Sequence, residues 1–401
     1  MTPTRTPPPL LSDPRLQPAR ALAHQSDEDT LREQLELVAI PAPPFGEERR
    51  GERVLARFRE LGLAEPHRDD VGNVVATLPG ASAGAPVVVA AHLDTVFAAG
   101  TDVEPRRENG RFYAPGITDN SRGLAGMLAV VRVLRAAGVR TERPVVFVAS
   151  VGEEGSGDLR GVKHLFREGA ALREASGFIA LDGSGLRRIV HRAIGSRRLR
   201  IELSGPGGHS WADRGAPNPI VALGSAVAEM ATLALPHPTR SSLTVARIGG
   251  GSSINAIPEH AWMELDMRSE VAGVLAQMEE SVRGVLARVT EEENGGRRTG
   301  TQPLRSAVIV IGDRPSGETP QKAPLVQMAS AVTHALGGKA ELVGSSTDAN
   351  VPMALGIPSI AIGVGGDSGG IHTVDEWYSN EHGALGVERA LLIILGAAGV
   401  A

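Results

Sequence analysis

Seven acid and imidazole side chains, His92, Asp94, Asp119, Glu153, Glu154, Asp182 and His372, could between them hold two metal ions and activate a water molecule. Two hard divalent cations about 3.5–4 Å apart need roughly three protein ligands each, including one whose two oxygens span both ions. A carboxylate can span them; an imidazole cannot. Two His, two Asp and one Glu fill such a paired site, which leaves Glu153 as a general base that takes a proton from a metal-bridging water and passes it to a leaving amine. Imidazole mixed with carboxylate favours zinc, with cobalt or manganese as alternatives, because selectivity follows geometry and availability. The chain has no cysteine, so disulfides, thiolate ligands and a Cys nucleophile are excluded.

The segments before these residues say how they are delivered. Val87 to Ala91 leads into His92-Leu93-Asp94, Val145 to Val151 into Gly152-Glu153-Glu154, and Phe178 to Leu181 into Asp182. Each apolar run reads as a buried strand with its ligand at the C-terminal end, where open α/β sheets place their sites. Asp94 follows His92 by two residues, on the same face of an extended segment, and is placed to accept the ring proton of His92.

The surrounding periodicity predicts helices at 29–39, 47–62 and 120–137 and strands at 72–78, 86–91, 144–151 and 177–182. This alternation implies an α/β fold, a mostly parallel sheet with helices on both faces. The rhythm then changes to a strand at 197–203, a helix at 218–234, strands at 242–248 and 260–268, a helix at 270–290 and a strand near 305–311. That βαββαβ order is ferredoxin-like. Glu291-Glu292-Glu293 and Gly295-Gly296 read as an exposed loop within it. The first pattern resumes with helices at 323–336, 349–355 and 382–398 and strands at 340–343 and 358–363. The smaller domain is thus inserted, giving a catalytic domain from 28–186 and 314–401 and an insert at 187–313. Residues 1–27, rich in Pro and Arg with Pro7-Pro8-Pro9, are expected to form a flexible extension.

With 401 residues and 42% hydrophobic content, the chain can bury a large core in two domains. A net charge of −5 gives no basic footprint, so nucleic acid and anionic membranes are not expected partners. No run approaches a membrane span and the N-terminus lacks a secretory apolar region, so a cytoplasmic location is expected. Gly363-Val364-Gly365-Gly366 lacks the ending of a phosphate-binding loop and reads as a mobile rim of the site.

The segments Ala91-His92-Leu93-Asp94-Thr95, Gly116-Ile117-Thr118-Asp119-Asn120, Gly152-Glu153-Glu154-Gly155, Leu181-Asp182, Gly205-Pro206-Gly207-Gly208-His209-Ser210 and Gly370-Ile371-His372-Thr373, in this order, resemble the M20 family of metallopeptidases. The likeness is to its peptidase T-like and carboxypeptidase-like members and covers nearly everything after the N-terminal extension. It implies a zinc-exopeptidase-like fold in which His92 and Asp182 hold one ion, Glu154 and His372 hold the other, and Asp119 bridges them. It further implies a cis peptide bond after Asp119 and a homodimer formed through the inserted lid domain. Across that dimer His209 would reach into the partner's site and stabilise the tetrahedral oxyanion. Asn255 and Arg268 match a pair that in the carboxypeptidase-like relatives holds the substrate's free carboxylate, and a guanidinium fork suits that task. The alternative for Arg268 is an ion pair with Asp266 or Glu264.

Taken together, these features imply a two-metal exopeptidase acting on short peptides. An N-acyl amino acid deacylase would use the same residues. A non-catalytic binding protein on the same fold should have lost a ligand or the base, and none is missing. A Ser hydrolase built on Ser210 and His209 would leave the acidic cluster unexplained.

Overall fold

The computed structural model describes residues 9–401, which divide into two compact units, one formed by the two ends of the chain up to Ala193 and from Gly317, the other by Ile194–Ser316. In the first unit a nine-stranded sheet runs Ala64–Arg68, Val74–Leu78, Val145–Ser150, Val87–His92, Gly177–Leu181, Ser359–Ile362, Arg188–Ala193, Gly317–Glu318, with Glu341–Ser345 also on Arg188–Ala193. The four central strands are mutually parallel, whereas the pairings that flank them on either side are antiparallel. Val87–His92 is buried throughout and packs on both faces: Val87, Val89 and Ala91 join one core, Val88 and Ala90 another. Each buried valine contributes about 1.5–3 kcal/mol relative to exposure, which fixes the strand's depth and register. Helices Glu48–Glu60, Ser121–Ala136, Pro324–Ala335 and Gly383–Ala398 cover the first face, and the shorter Arg160–Leu165 and Asn350–Ala354 cover the second.

Residues 1–8 of the expected flexible extension lie outside the described residues, and the remainder of that expectation is corrected. Gln17–Gln25 is a helix whose Ala19 and Ala23, with Leu16 just before it, are fully buried in the first core. Arg20 and His24 both bind the buried Glu388 carboxylate, at 2.5 and 2.7 Å. Pro18 stands in the first turn, where its missing N–H costs nothing. The insert also begins later than expected. Arg188–Ala193 is a strand of the large sheet, so the second unit starts at Ile194.

That second unit has its own core. Its strands order as Ser241–Gly250, His260–Ser269, Gly195–Ser204, Arg305–Arg314, all antiparallel, and helices Pro219–Met230 and Ala272–Gly295 close one face over Leu199, Ile201, Met263 and Leu265. This is the ferredoxin-like βαββαβ order. Glu291–Glu293 is the end of the long helix rather than a loop. Glu is a good helix former, and Glu293 accepts the Asn218 backbone N–H at 2.7 Å. No helix among the described residues is long and apolar enough to cross a membrane.

Candidate active site

Three neighbouring parallel strands end at the same edge of the large sheet. His92 pairs with Ser150, and Ala90 with Ala180, so the residues after each strand emerge side by side. Val145–Ser150 continues into Gly152, whose φ of 66° turns the chain so that Glu153 and Glu154 follow at the rim, both buried. Asp182 follows Gly177–Leu181 directly. Asp119 precedes helix Ser121–Ala136, which Asn120 caps through Gly123 N at 3.0 Å, and the Asp119–Asn120 peptide is cis. His372 comes from an irregular turn, at a φ of 66°, and is half exposed.

These residues form three overlapping groups whose ligand atoms lie within 4.8 Å of one another: His92 with Asp119 and Asp182, Asp119 with Glu154 and His372, and His92 with Glu153 and Glu154. Asp119 Oδ1 stands 3.0 Å from His92 Nε2, while Asp119 Oδ2 stands 3.1 Å from His372 Nε2. The same His372 nitrogen is 3.1 Å from Glu154 Oε1. One carboxylate therefore turns an oxygen to each of two ligand groups. Its Oδ1 is buried without an aligned hydrogen-bond donor, as a metal ligand would be. The donors are imidazole nitrogens and carboxylate oxygens only, a set that suits zinc or a similar divalent ion.

The electrostatics agree with a cation-binding site. Hydrogen bonds to Asp119 and Glu154 push the His372 imidazolium up to about 10. Burial opposes the charge on His92, but the carboxylates of Asp119 and Asp94 outweigh it and raise that ring well above its ordinary value. Burial would raise Asp119 too, yet its contacts with His372 and His92 hold it well below the usual carboxylate range. Asp182 goes the other way, pushed up to about 7 by burial and then by the Asp119 charge. An ion that takes these lone pairs must displace protons from the rings.

Asp94 does not do what its spacing suggested. His92 Nδ1 is bonded to the Asp94 backbone carbonyl at 3.0 Å, and the carboxylate is 3.7 Å away. The two carboxylate oxygens accept the backbone N–H groups of Glu153 at 2.9 Å and Glu154 at 2.7 Å. Asp94 thus holds the Glu153-Glu154 segment through its side chain while its main-chain carbonyl fixes the His92 tautomer. The Gly363–Gly366 segment is likewise no mobile rim. It is buried, Val364 O accepts from the fully buried Arg122 at 2.7 Å, and a Cβ on Gly366 would lie 2.1 Å from the Tyr378 ring. Glycine is there for close packing.

His209, Asn255 and Arg268 belong to the second unit. Gly208–His209 pairs with Ala256–Ile257, which brings His209 beside Asn255, and the Asn255 carbonyl accepts Ser210 N at 3.0 Å. His209 Nδ1 accepts Trp211 N at 3.1 Å, so its ring proton sits on Nε2. Arg268 Nε donates to Asp266 at 2.7 Å, the ion pair given above as its alternative role.

Sequence reasoning missed Glu376. It is fully buried, and its carboxylate accepts Gly116 N at 3.1 Å, Thr118 N at 2.8 Å and Asp119 N at 3.1 Å. Burial pushes it up to about 7 against these bonds. In the sequence it is half of Asp375-Glu376, an acid pair like any surface pair; its position four residues after His372 was the only signal.

The model of peptidase family M20/M25/M40 matches residues 88–395. The uncharacterized protein YqjE of Bacillus subtilis is 26% identical over 386 residues, 92% of this chain and 98% of its own. Among solved structures, aminopeptidase PepT from Bacillus cereus matches with a TM-score of 0.73 and 25% identity, over 93% of this chain and 99% of its own. A tripeptidase from Staphylococcus aureus matches at 0.76 with 24% identity, over 93% and 98%. The last likeness is one of fold.

Proposed function

Because the chain belongs to peptidase family M20/M25/M40 and is a metal-dependent hydrolase, we propose that it is a two-metal exopeptidase acting on short peptides. The observation that carries this reading is Asp119, whose two oxygens face separate ligand groups, His92 with Asp182 and Glu154 with His372. Divalent ions bound there, zinc first among them, would polarise the scissile carbonyl and acidify a bridging water. Glu153, buried at the same strand end, takes the water's proton and returns it to the departing amine. Asp94 keeps Glu153 and Glu154 in place through their backbone N–H groups.

In this reading the chain works as a homodimer. His209, with its proton on Nε2, donates to the tetrahedral oxyanion in the partner's site. Asn255 and Arg268 take the substrate carboxylate, for which Arg268 must leave Asp266. The test is hydrolysis by zinc-reconstituted protein, with a Glu153→Ala control, of one tripeptide in free, N-acetylated and C-amidated forms. Cleavage that requires the free amine identifies an aminopeptidase; loss only on amidation points to carboxylate capture by Arg268. Release of acetate from the acetylated form alone would replace the peptidase by an N-acyl amino acid deacylase.

A further inference from the structure

The two ligand groups are supported differently. His92 and Asp182 stand at the ends of strands paired within the nine-stranded sheet, so the sheet itself sets their separation. His372 has no such support. It lies in a turn held by Thr373 N and the Thr373 hydroxyl on Gly370 O, at 2.9 and 2.6 Å, and Asp119 lies in the 114–119 loop. These two loops leave neighbouring strands of a small sheet, where Trp377–Ser379 pairs with Arg111–Tyr113 and Ala114 N donates to Glu376 O at 3.1 Å. Beyond that sheet the Glu376 carboxylate spans them, with Thr118 and Asp119 N–H on one oxygen and Gly116 N–H on the other.

We propose that Glu376 is a positioning residue that locks the Asp119 loop to the His372 turn and thereby sets the affinity of the ion position formed by Asp119, Glu154 and His372. The inference rests on the two-metal reading above. Three N–H donors meeting two buried oxygens need a full carboxylate. An amide in the same place would set its NH2 against at least one of these N–H groups, donor against donor, and open the span. Partners that orient metal ligands commonly change affinity 10–100-fold when lost. Here the larger loss should fall on the ion that takes both Asp119 and His372 from these loops, because the other shares only Asp119 with them and takes His92 and Asp182 from the sheet.

The test is zinc binding to the full chain, by equilibrium dialysis, for wild type, Glu376→Gln, Glu376→Asp and His372→Ala. Wild type should take two equivalents. Glu376→Gln should bind the second at least about tenfold more weakly, as His372→Ala does, and lose distinctly less on the first, with Glu376→Asp between Gln and wild type. Two equivalents at wild-type affinity in Glu376→Gln overturn the proposal, and so does a parallel loss of both, which marks a general structural role. A wild type that takes only one equivalent removes the two-metal reading itself. If Glu376→Gln does not fold, amide exchange of wild type decides: the second zinc equivalent should slow Gly116, Thr118 and Asp119 beyond what the first does. Unchanged exchange at these amides is the overturning result.

Discussion

At the scale of residues, the adjacent acids Glu153 and Glu154 differ in what surrounds them. Glu154 Oε1 lies 3.1 Å from His372 Nε2, whereas Glu153 falls only in the group with His92 that lacks Asp119. Glu153→Gln should therefore cut kcat by about 10²–10⁴ and leave the zinc stoichiometry unchanged, which dialysis and turnover measured on one preparation will check; zinc lost along with activity would make Glu153 a ligand. Protons and ions compete for the same atoms. With His372 pushed up to about 10, a bound ion must displace its proton at neutral pH, so zinc affinity should weaken as pH falls from 9 to 6. Calorimetry in two buffers of different ionisation enthalpy should register proton release on binding; none would contradict the assignment of His372 as a ligand. For chelator-treated protein the sign reverses. The folded value of His372 lies above its unfolded one, so its stabilisation is complete below about pH 6.5 and is lost as pH rises toward about 10. The melting temperature of chelated protein should fall across that window.

At the scale of elements, the N-terminal helix is the one whose removal the sequence would not predict to matter. Leu16 is fully buried in the larger core, and Leu16→Ala should cost about 2–5 kcal/mol by denaturant unfolding; a change within error would mean that the helix docks without contributing. The segment escaped notice because its buried stripe is Leu16, Ala19 and Ala23, two of them alanines, among Arg and Pro that read as solvated chain. The strands that end in the candidate site were legible for the opposite reason. Val87–His92 and Val145–Ser150 are buried on both faces and therefore appear as unbroken apolar runs ending in acid or imidazole. Arg188–Ala193, with arginine at two of its positions, carries no such run, and the domain boundary was misplaced with it. The direction of a side chain past a strand end is not written in spacing at all, and this is why Asp94 was assigned to the ring of His92 and Glu376 was overlooked.

At the scale of the whole molecule, the homodimer reading makes a quantitative prediction. Mixed His209→Ala and Glu153→Ala subunits, each inactive alone, should recover activity if His209 serves the partner's site, with roughly one site in four intact after random exchange. No recovery despite verified exchange would confine His209 to its own subunit. The order of strands has a consequence for how this chain is made. Ser359–Ile362 sits between Gly177–Leu181 and Arg188–Ala193 in the large sheet, so a central seam stays open until the C-terminal part has left the ribosome. Ile194–Ser316, contiguous and with a core of its own, is complete before that strand is made. At about 5–20 residues per second, the edge of Gly177–Leu181 waits on the order of tens of seconds for its last neighbour. During synthesis the insert can fold first, while the half-built sheet, with its unpaired strand edges, is the nascent chain's exposed and aggregation-prone part.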